Sequence, residues 1–244
     1  MQIAIEGMDG VGKTTIAKKL AEDFDFMYID KPLHYLLPGT ESESYAQLNS
    51  ILRKMYDLND PIIKSWMIGL GNLYSSRQFK DKNSVLDRHR VSNYFWNGEQ
   101  ESDLVFKTMI ELIGTPDMTI LLYASPQTRR KRLYLRDKND RDLSDPEIWV
   151  VGYDKMKKFL EDFNIPYIPI NTENRNIEEV YEVVQRKVEN YIEKEKDKNG
   201  TVIKYLGVRL NITEQINYQK FLDREKETAQ QADKLKSAFL ANMS

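Results

Sequence analysis

The chain contains no cysteine. That absence removes disulfides, thiolate zinc sites and cysteine catalysis together. Nor is charge of one sign in excess. Lys and Arg number 36 against 38 Asp and Glu, so overall charge gives no argument for nucleic acid or an anionic membrane surface, and only a local cluster could. The apolar run that opens the chain, Gln2 to Ile5, is too short for a signal peptide or a membrane span and is needed as a strand. A cytoplasmic location is therefore the default expectation. What is present suffices for a globular protein. An apolar fraction of 41% in 244 residues can build one large α/β domain, or one domain with an appendage.

The opening run leads through Glu6 into GMDGVGKT, Gly7 to Thr14, a complete Walker A pattern. Gly7, Gly10 and Gly12 let the backbone curl so that its N–H groups converge on phosphate oxygens. Lys13 adds a mobile positive charge, and the Thr14 hydroxyl can hold a magnesium ion. After the loop, Ile16, Leu20 and Phe24 recur at helical spacing, so a helix N-terminus points at the phosphates. Gly7, Asp9, Gly10, Val11, Gly12, Lys13, Thr14 and Thr15 are accordingly the candidate ATP-binding residues.

In order along the chain, MYID (27–30) reads as a second strand, followed by a stretch broken by Pro32 and Pro38. AQLNSILRKMYDL and, after Pro61, SWMIGLGNLYSSRQF read as helices, with Arg77 near the end of the second. SVLD (84–87) is a short buried-type strand ending on a carboxylate. DLVFKTMIELIG is an amphipathic helix with Gly114 as its C-cap and Pro116 beyond. MTILLYA (118–124) is apolar almost throughout, as the centre of a parallel sheet should be. QTRRKRLYLRDKNDRD reads as a basic helix, GYDKMKKFLEDF as another helix, IPYIPI as a strand, and IEEVYEVVQRKVENYIEKE as a long final helix. Strands alternating with helices to about residue 193 predict a P-loop α/β fold, a parallel sheet covered by helices on both faces. Ligands of such sheets gather at the carboxyl ends of the strands, where the Walker loop and Asp87 both fall.

Asp87 at a strand tip can reach a magnesium ion or its waters, and adjacent Arg88 offers a forked donor for a second phosphate. Downstream, Arg129, Arg132 and Arg136 share one helical face, a density of like charge that favours an anionic ligand. The alternative for any one of these residues is a solvated helix face.

With these residues in place, residues 1–192 resemble the thymidylate kinase family. The resemblance rests on IEGMDGVGKTT, on Arg77 in its helix, on DRHRVSNYFWN with Asp87, Arg88, His89, Ser92, Trp96 and Asn97 in the family's spacing, on PDMTILLYASP, and on an arginine-rich piece where the family's lid lies. It implies transfer of the ATP γ-phosphoryl group to a nucleoside monophosphate, dTMP favoured, with Mg2+ as cofactor. Lys13, Asp87, Arg132, Arg136 and Arg141 would be catalytic, and Thr14 and Asp87 would hold the metal. Asp9, Arg77, Arg88, Ser92, Trp96 and Asn97 would bind the acceptor, Asp9 through its sugar hydroxyl. With Gly10 in the loop, the resemblance is to the subgroup whose catalytic arginine sits in the lid. Departures fall on the acceptor side. Asp30, Lys31, Pro32 and Leu33 stand where many relatives have Arg-Glu-Pro-Gly-Gly, the family's base-stacking phenylalanine is replaced, with Leu73 or Tyr74 nearest its place, and Trp96 and Asn97 replace Tyr-Gln. A deoxynucleoside kinase and a non-catalytic nucleotide-binding module coupled to a signalling tail therefore stay open as alternatives.

A composition shift at EKEKDKNG separates the kinase-like domain (1–193) from a linker and hairpin (194–211) and an amphipathic helix (212–244). NGTVIKYLGVRLNITEQ resembles the closing strands of a PAS sensor domain. The helix after it resembles the signalling helix of sensor histidine kinases, where LKSAFLANMS directly precedes the phosphoacceptor histidine. His34 and His89 are the only histidines, both in the first domain, so the tail is not expected to autophosphorylate. Its thin apolar stripe is compatible with pairing to a second chain in a homodimer. No nucleic-acid or membrane partner is expected.

Overall fold

The structure, a computed structural model, describes residues 1–139, 143 and 146–194. Among these, five strands lie parallel: β1 (Gln2–Gly7), β2 (Met27–Ile29), β3 (Ser84–Asp87), β4 (Met118–Tyr123) and β5 (Ile168–Asn171), in the order β2-β3-β1-β4-β5. The helices are α1 (Lys13–Asp23), α2 (Glu41–Tyr56), α3 (Pro61–Gln78), α4 (Arg90–Asn97), α5 (Asp103–Ile113), α6 (Pro126–Arg136), α7 (Pro146–Asp162) and α8 (Ile177–Lys194), with short 3-10 turns at Pro32–Leu36 and Gln100–Ser102. Ile3, Ile5, Ile120, Leu121 and Leu122 are fully buried, which explains why the middle strands are apolar in runs and do not alternate with polar residues. Ile3, Ile5 and Val85 face the larger core cluster. Ala4, Ile29 and Leu86 face a smaller one closed by Phe79.

Register sets the height of the site. Ile5 pairs with Asp87 on one side and with Ile120 on the other, so β1 and β3 deliver their carboxyl ends side by side. The Walker loop and the Asp87–Arg88 turn therefore leave the sheet as neighbours.

Helix boundaries differ from the sequence reading where a cap decides them. α2 starts at Glu41, ahead of the apolar periodicity, because Thr40 and Glu43 form a capping box. α6 stops at Arg136, where Asp137 turns extended, so the predicted basic helix is shorter than its charge run. α7 begins at Pro146, earlier than expected. α4 lacks a side-chain cap from its own N-cap residue, His89, and nothing local in the sequence announced it. The expected linker, hairpin and C-terminal helix lie outside the described residues. No helix among the described residues is long and apolar enough to cross a membrane.

Gly69 shows how closely α3 and α5 approach. A Cβ there would lie 2.5 Å from the sulfur of Met109, itself fully buried. Gly69→Ala should lower folding stability by about 1–3 kcal/mol, read as a lower denaturation midpoint with an unchanged slope.

Candidate active site

The Walker loop packs where its glycines allow. Gly7, Gly10 and Gly12 all have positive φ, and a Cβ on Gly10 would lie 2.7 Å from the carbonyl oxygen of Arg129 in α6. No side chain fits at position 10 unless α6 moves. Beyond the loop opens a cleft of about 400 Å³. Its lining takes in Asp9 to Thr15 and Arg88 on one wall, Arg132 and Arg136 of α6 on another, and the segment from Thr172 to Val180 on a third.

Asp9 organises the charges. Its Oδ1 accepts from Lys13 Nζ at 3.1 Å and from the Arg88 guanidinium at 2.6 Å. Burial alone would raise the Asp9 pKa, but the two cations outweigh it and hold the carboxyl well below the usual carboxylate range. Lys13 is itself buried and also donates to the Met8 carbonyl at 2.8 Å. Burial, then repulsion from Arg88, pulls its ammonium down to about 8, with Asp9 and Asp87 restoring only part of the loss. Arg88 adopts a left-handed conformation, φ 77°, that few non-glycine residues hold. Its backbone N–H donates to the Ile5 carbonyl at 3.1 Å, and its side chain remains 40% exposed toward the cleft.

Asp87 is the second acid. Its Oδ2 accepts from the Thr14 hydroxyl at 2.6 Å and from the Tyr28 hydroxyl at 2.9 Å. Burial and the negative charge of Asp87 push the Tyr28 phenol far up, so it stays a donor. Oδ1 of Asp87 is buried and has no hydrogen-bond partner among the described residues. A divalent cation fits this arrangement. The Thr14 hydroxyl spends its proton on Asp87, which leaves its lone pairs for a metal, and the unpartnered Oδ1 is a hard anionic donor.

Other expected residues fall elsewhere. Ser92 gives its hydroxyl to Glu6 at 2.5 Å. Arg77 is exposed in the last turn of α3, outside the cleft. Trp96 is exposed against Phe95. Asn97 is buried, with its amide on Asn93 at 3.1 Å. Arg132 lines the cleft, but its guanidinium donates to Thr172 Oγ1 (2.9 Å), to the Thr172 carbonyl (2.7 Å), and at 3.3–3.4 Å to the carbonyls of Arg175 and Gly10. Arg136 is exposed at the rim, and Arg141 lies outside the described residues.

The sequence reading missed the third wall, Thr172, Arg175 and Asn176. The polar segment NTENRN at the carboxyl end of the last strand was the available signal, since ligands collect at such ends. It also passed over Tyr28 and Glu6.

The thymidylate kinase family model matches residues 5–184. The chain belongs to the thymidylate kinase family. It is a nucleotide kinase. Similar relatives of this kinase include proteins named "Probable thymidylate kinase" from Methanocaldococcus jannaschii, 26% identical over 74% of this chain and 92% of the relative, and from Archaeoglobus fulgidus, 28% identical over 82% and 100%. Among solved structures, thymidylate kinase from Candida albicans shares the fold with a TM-score of 0.60, at 16% identity over 78% of this chain and 91% of that one. Deoxyadenosine kinase from M. mycoides, solved with dCTP bound, gives 0.52 at 20% identity over 78% and 100%.

Lys13 generates a pH prediction for this kinase. Phosphate binding needs the ammonium, which is already present below about pH 8 and must take up a proton above it. The dissociation constant for a nucleoside triphosphate should therefore be flat up to that pH and then rise by roughly tenfold per unit, until the pKa of the bound form is reached. Calorimetry in buffers of different ionisation enthalpy should show proton uptake on binding in the same range.

Proposed function

We propose that the protein transfers the γ-phosphoryl group of ATP to dTMP, giving ADP and dTDP. The observation that carries this reading is the convergence of Lys13 and Arg88 on Asp9, which sets a Walker cation and a second phosphate-binding cation within one cleft. Phosphoryl transfer asks mainly for positioning and charge neutralisation, and this geometry supplies both.

In the reaction, Lys13 and the backbone N–H groups of Gly10 to Thr15 hold the β- and γ-phosphates at the N-terminus of α1. Arg88, with Arg77 at the end of α3, takes the acceptor's phosphate. Asp9 accepts from the acceptor's sugar hydroxyl as phosphate oxygens draw the two cations from it. Ser92, Trp96 and Asn97 belong to the acceptor side through α4, Ser92 acting by way of Glu6. Thr14 and Asp87 would hold Mg2+, which when bound would supply charge neutralisation for the nucleotide phosphates. Arg136, exposed at the rim of the cleft, and Arg141 neutralise the transferring group. Arg132 braces the wall on which they stand.

A second reading, phosphorylation of a deoxynucleoside, is favoured by Asp30. The pairing of Ile29 with Leu86 places it beside Asp87, and Tyr45 donates to one of its oxygens at 2.5 Å. A carboxylate there could take the proton of a 5′-hydroxyl. The tail from 195, outside the described residues, is proposed as a fused PAS-like remnant without a phosphoacceptor histidine.

ADP release with Mg-ATP should be selective for dTMP over dUMP, other monophosphates and thymidine. Turnover of nucleosides alone would move the reading to Asp30 as base. Asp87→Ala should lower kcat by about two to three orders of magnitude with the fold intact. A chain that turns over no acceptor would be a nucleotide-binding module.

A homodimer is proposed through α3, where Ile63, Trp66 and Leu70 form a stripe, each 41–48% exposed. Light scattering should give twice the chain mass, and Trp66→Asp should give a monomer.

A further inference from the structure

Glu6 is fully buried in a strand whose neighbours Ile3, Ala4 and Ile5 are apolar and equally buried. A carboxylate there needs donors, and it has four. Oε1 accepts from the backbone N–H groups of His89 at 2.9 Å and Val91 at 3.0 Å. Oε2 accepts from the Ser92 N–H at 3.2 Å and the Ser92 hydroxyl at 2.5 Å. These amides belong to the N-cap and first turn of α4, a helix whose own N-cap side chain makes no capping bond. Glu6 thus caps α4 from another strand.

The capped turn begins one residue after Arg88. That residue is held in a left-handed conformation, which persists only where the surroundings over-determine it. On one side its own N–H is tied to the Ile5 carbonyl, and on the other the next amide, that of His89, is tied to Glu6. Consecutive residues of β1 therefore grip the turn from both ends.

We infer that Glu6 is a positioning residue: by holding the His89, Val91 and Ser92 amides it fixes the Arg88 turn and so aims the Arg88 guanidinium at the phosphate of the acceptor. The inference rests on the proposed acceptor site. It assigns Glu6 to the acceptor half of the reaction, because the Walker loop is shaped by its own glycines and by the bond from Lys13 to the Met8 carbonyl. A capping role confined to stability would weaken the fold without separating the two substrates.

Glu6→Gln keeps the shape but turns two acceptor sites into donors facing donors. Ser92→Ala removes one of the four bonds and leaves the carboxylate, which keeps the test open if Glu6→Gln fails to fold. In the full chain, both variants should raise the KM for dTMP, Glu6→Gln by roughly tenfold or more and Ser92→Ala by about threefold, with the KM for ATP within about twofold of wild type. Equal losses on both substrates, or unchanged acceptor kinetics in folded variants, would overturn the inference. If the wild-type chain phosphorylates no monophosphate, the acceptor reading has failed and amide hydrogen exchange decides about Glu6. Faster exchange confined to residues 88–92, with residues 7–15 unchanged, supports a turn positioned by Glu6, and uniform or absent change rejects it.

Discussion

One carboxylate, Asp9, holds two cations at once, and the site is arranged around that shared contact. Lys13 reaches Asp9 from within the Walker loop, and Arg88 reaches it from the turn after β3. The sheet order makes this feasible, because β3 lies directly beside β1 and Ile5 stands opposite Asp87. Were β3 not adjacent to β1, the lysine and the arginine would leave the sheet apart. Asp9 and Asp87 balance Lys13 and Arg88 in charge, so further positive potential for a polyanion must come from elsewhere. The α1 N-terminus and α6 supply it.

The wall carrying α6 is braced reciprocally. Ser125 caps α6 by accepting from the Thr128 N–H, and Glu173, in the loop after β5, secures that cap by accepting from the Ser125 N–H at 2.7 Å and from the Ser125 and Thr128 hydroxyls. Arg132 returns the contact by donating to the Thr172 and Arg175 carbonyls of the same loop. Three arginines that share a face thereby differ in environment. Arg129 is buried against the Walker loop side, Arg132 serves the loop, and Arg136 stays exposed at the rim. Like charges at this spacing are tolerated because they end on different partners.

The parts legible in the sequence were those set by local rules. The Walker loop, the apolar strands and the Asp87–Arg88 pair each carry their reason within a few residues, and the structure joins them as the strand order requires. α4 was not legible because its N-terminus is capped by Glu6, more than eighty residues earlier, so no cap signal stands before it. Of the third wall the sequence showed only a polar segment, NTENRN, after the last strand. The contacts of Arg132 with the Thr172 and Arg175 carbonyls are what a residue pattern does not display. The contacts of Ser92, Trp96 and Asn97 were not legible in the sequence. Ser92 gives its hydroxyl to Glu6 and Asn97 its side-chain N–H to Asn93, because a buried donor is costly to leave unpaired.

One run of departures from the family pattern, Asp30 to Leu33, lies between β2 and α2, and the structure shows how its first residues hold together. Lys31 is left-handed, with its ammonium 5.2 Å from the centre of the Tyr45 ring. Tyr45 donates to Asp30 and stacks on His34 at 4.4 Å. This knot pins the first turns of α2 to the end of β2, and Tyr28, two residues before Asp30, carries the connection on to Asp87. The Asp30–Lys31 knot and the Asp87 carboxylate are thus linked through one tyrosine. The bonds that brace the α6 wall do not pass through it. The Walker and acceptor sides are joined elsewhere, at Asp9, at the Thr14–Asp87 bond and through Ile5 and Glu6 of β1, which hold the Arg88 turn.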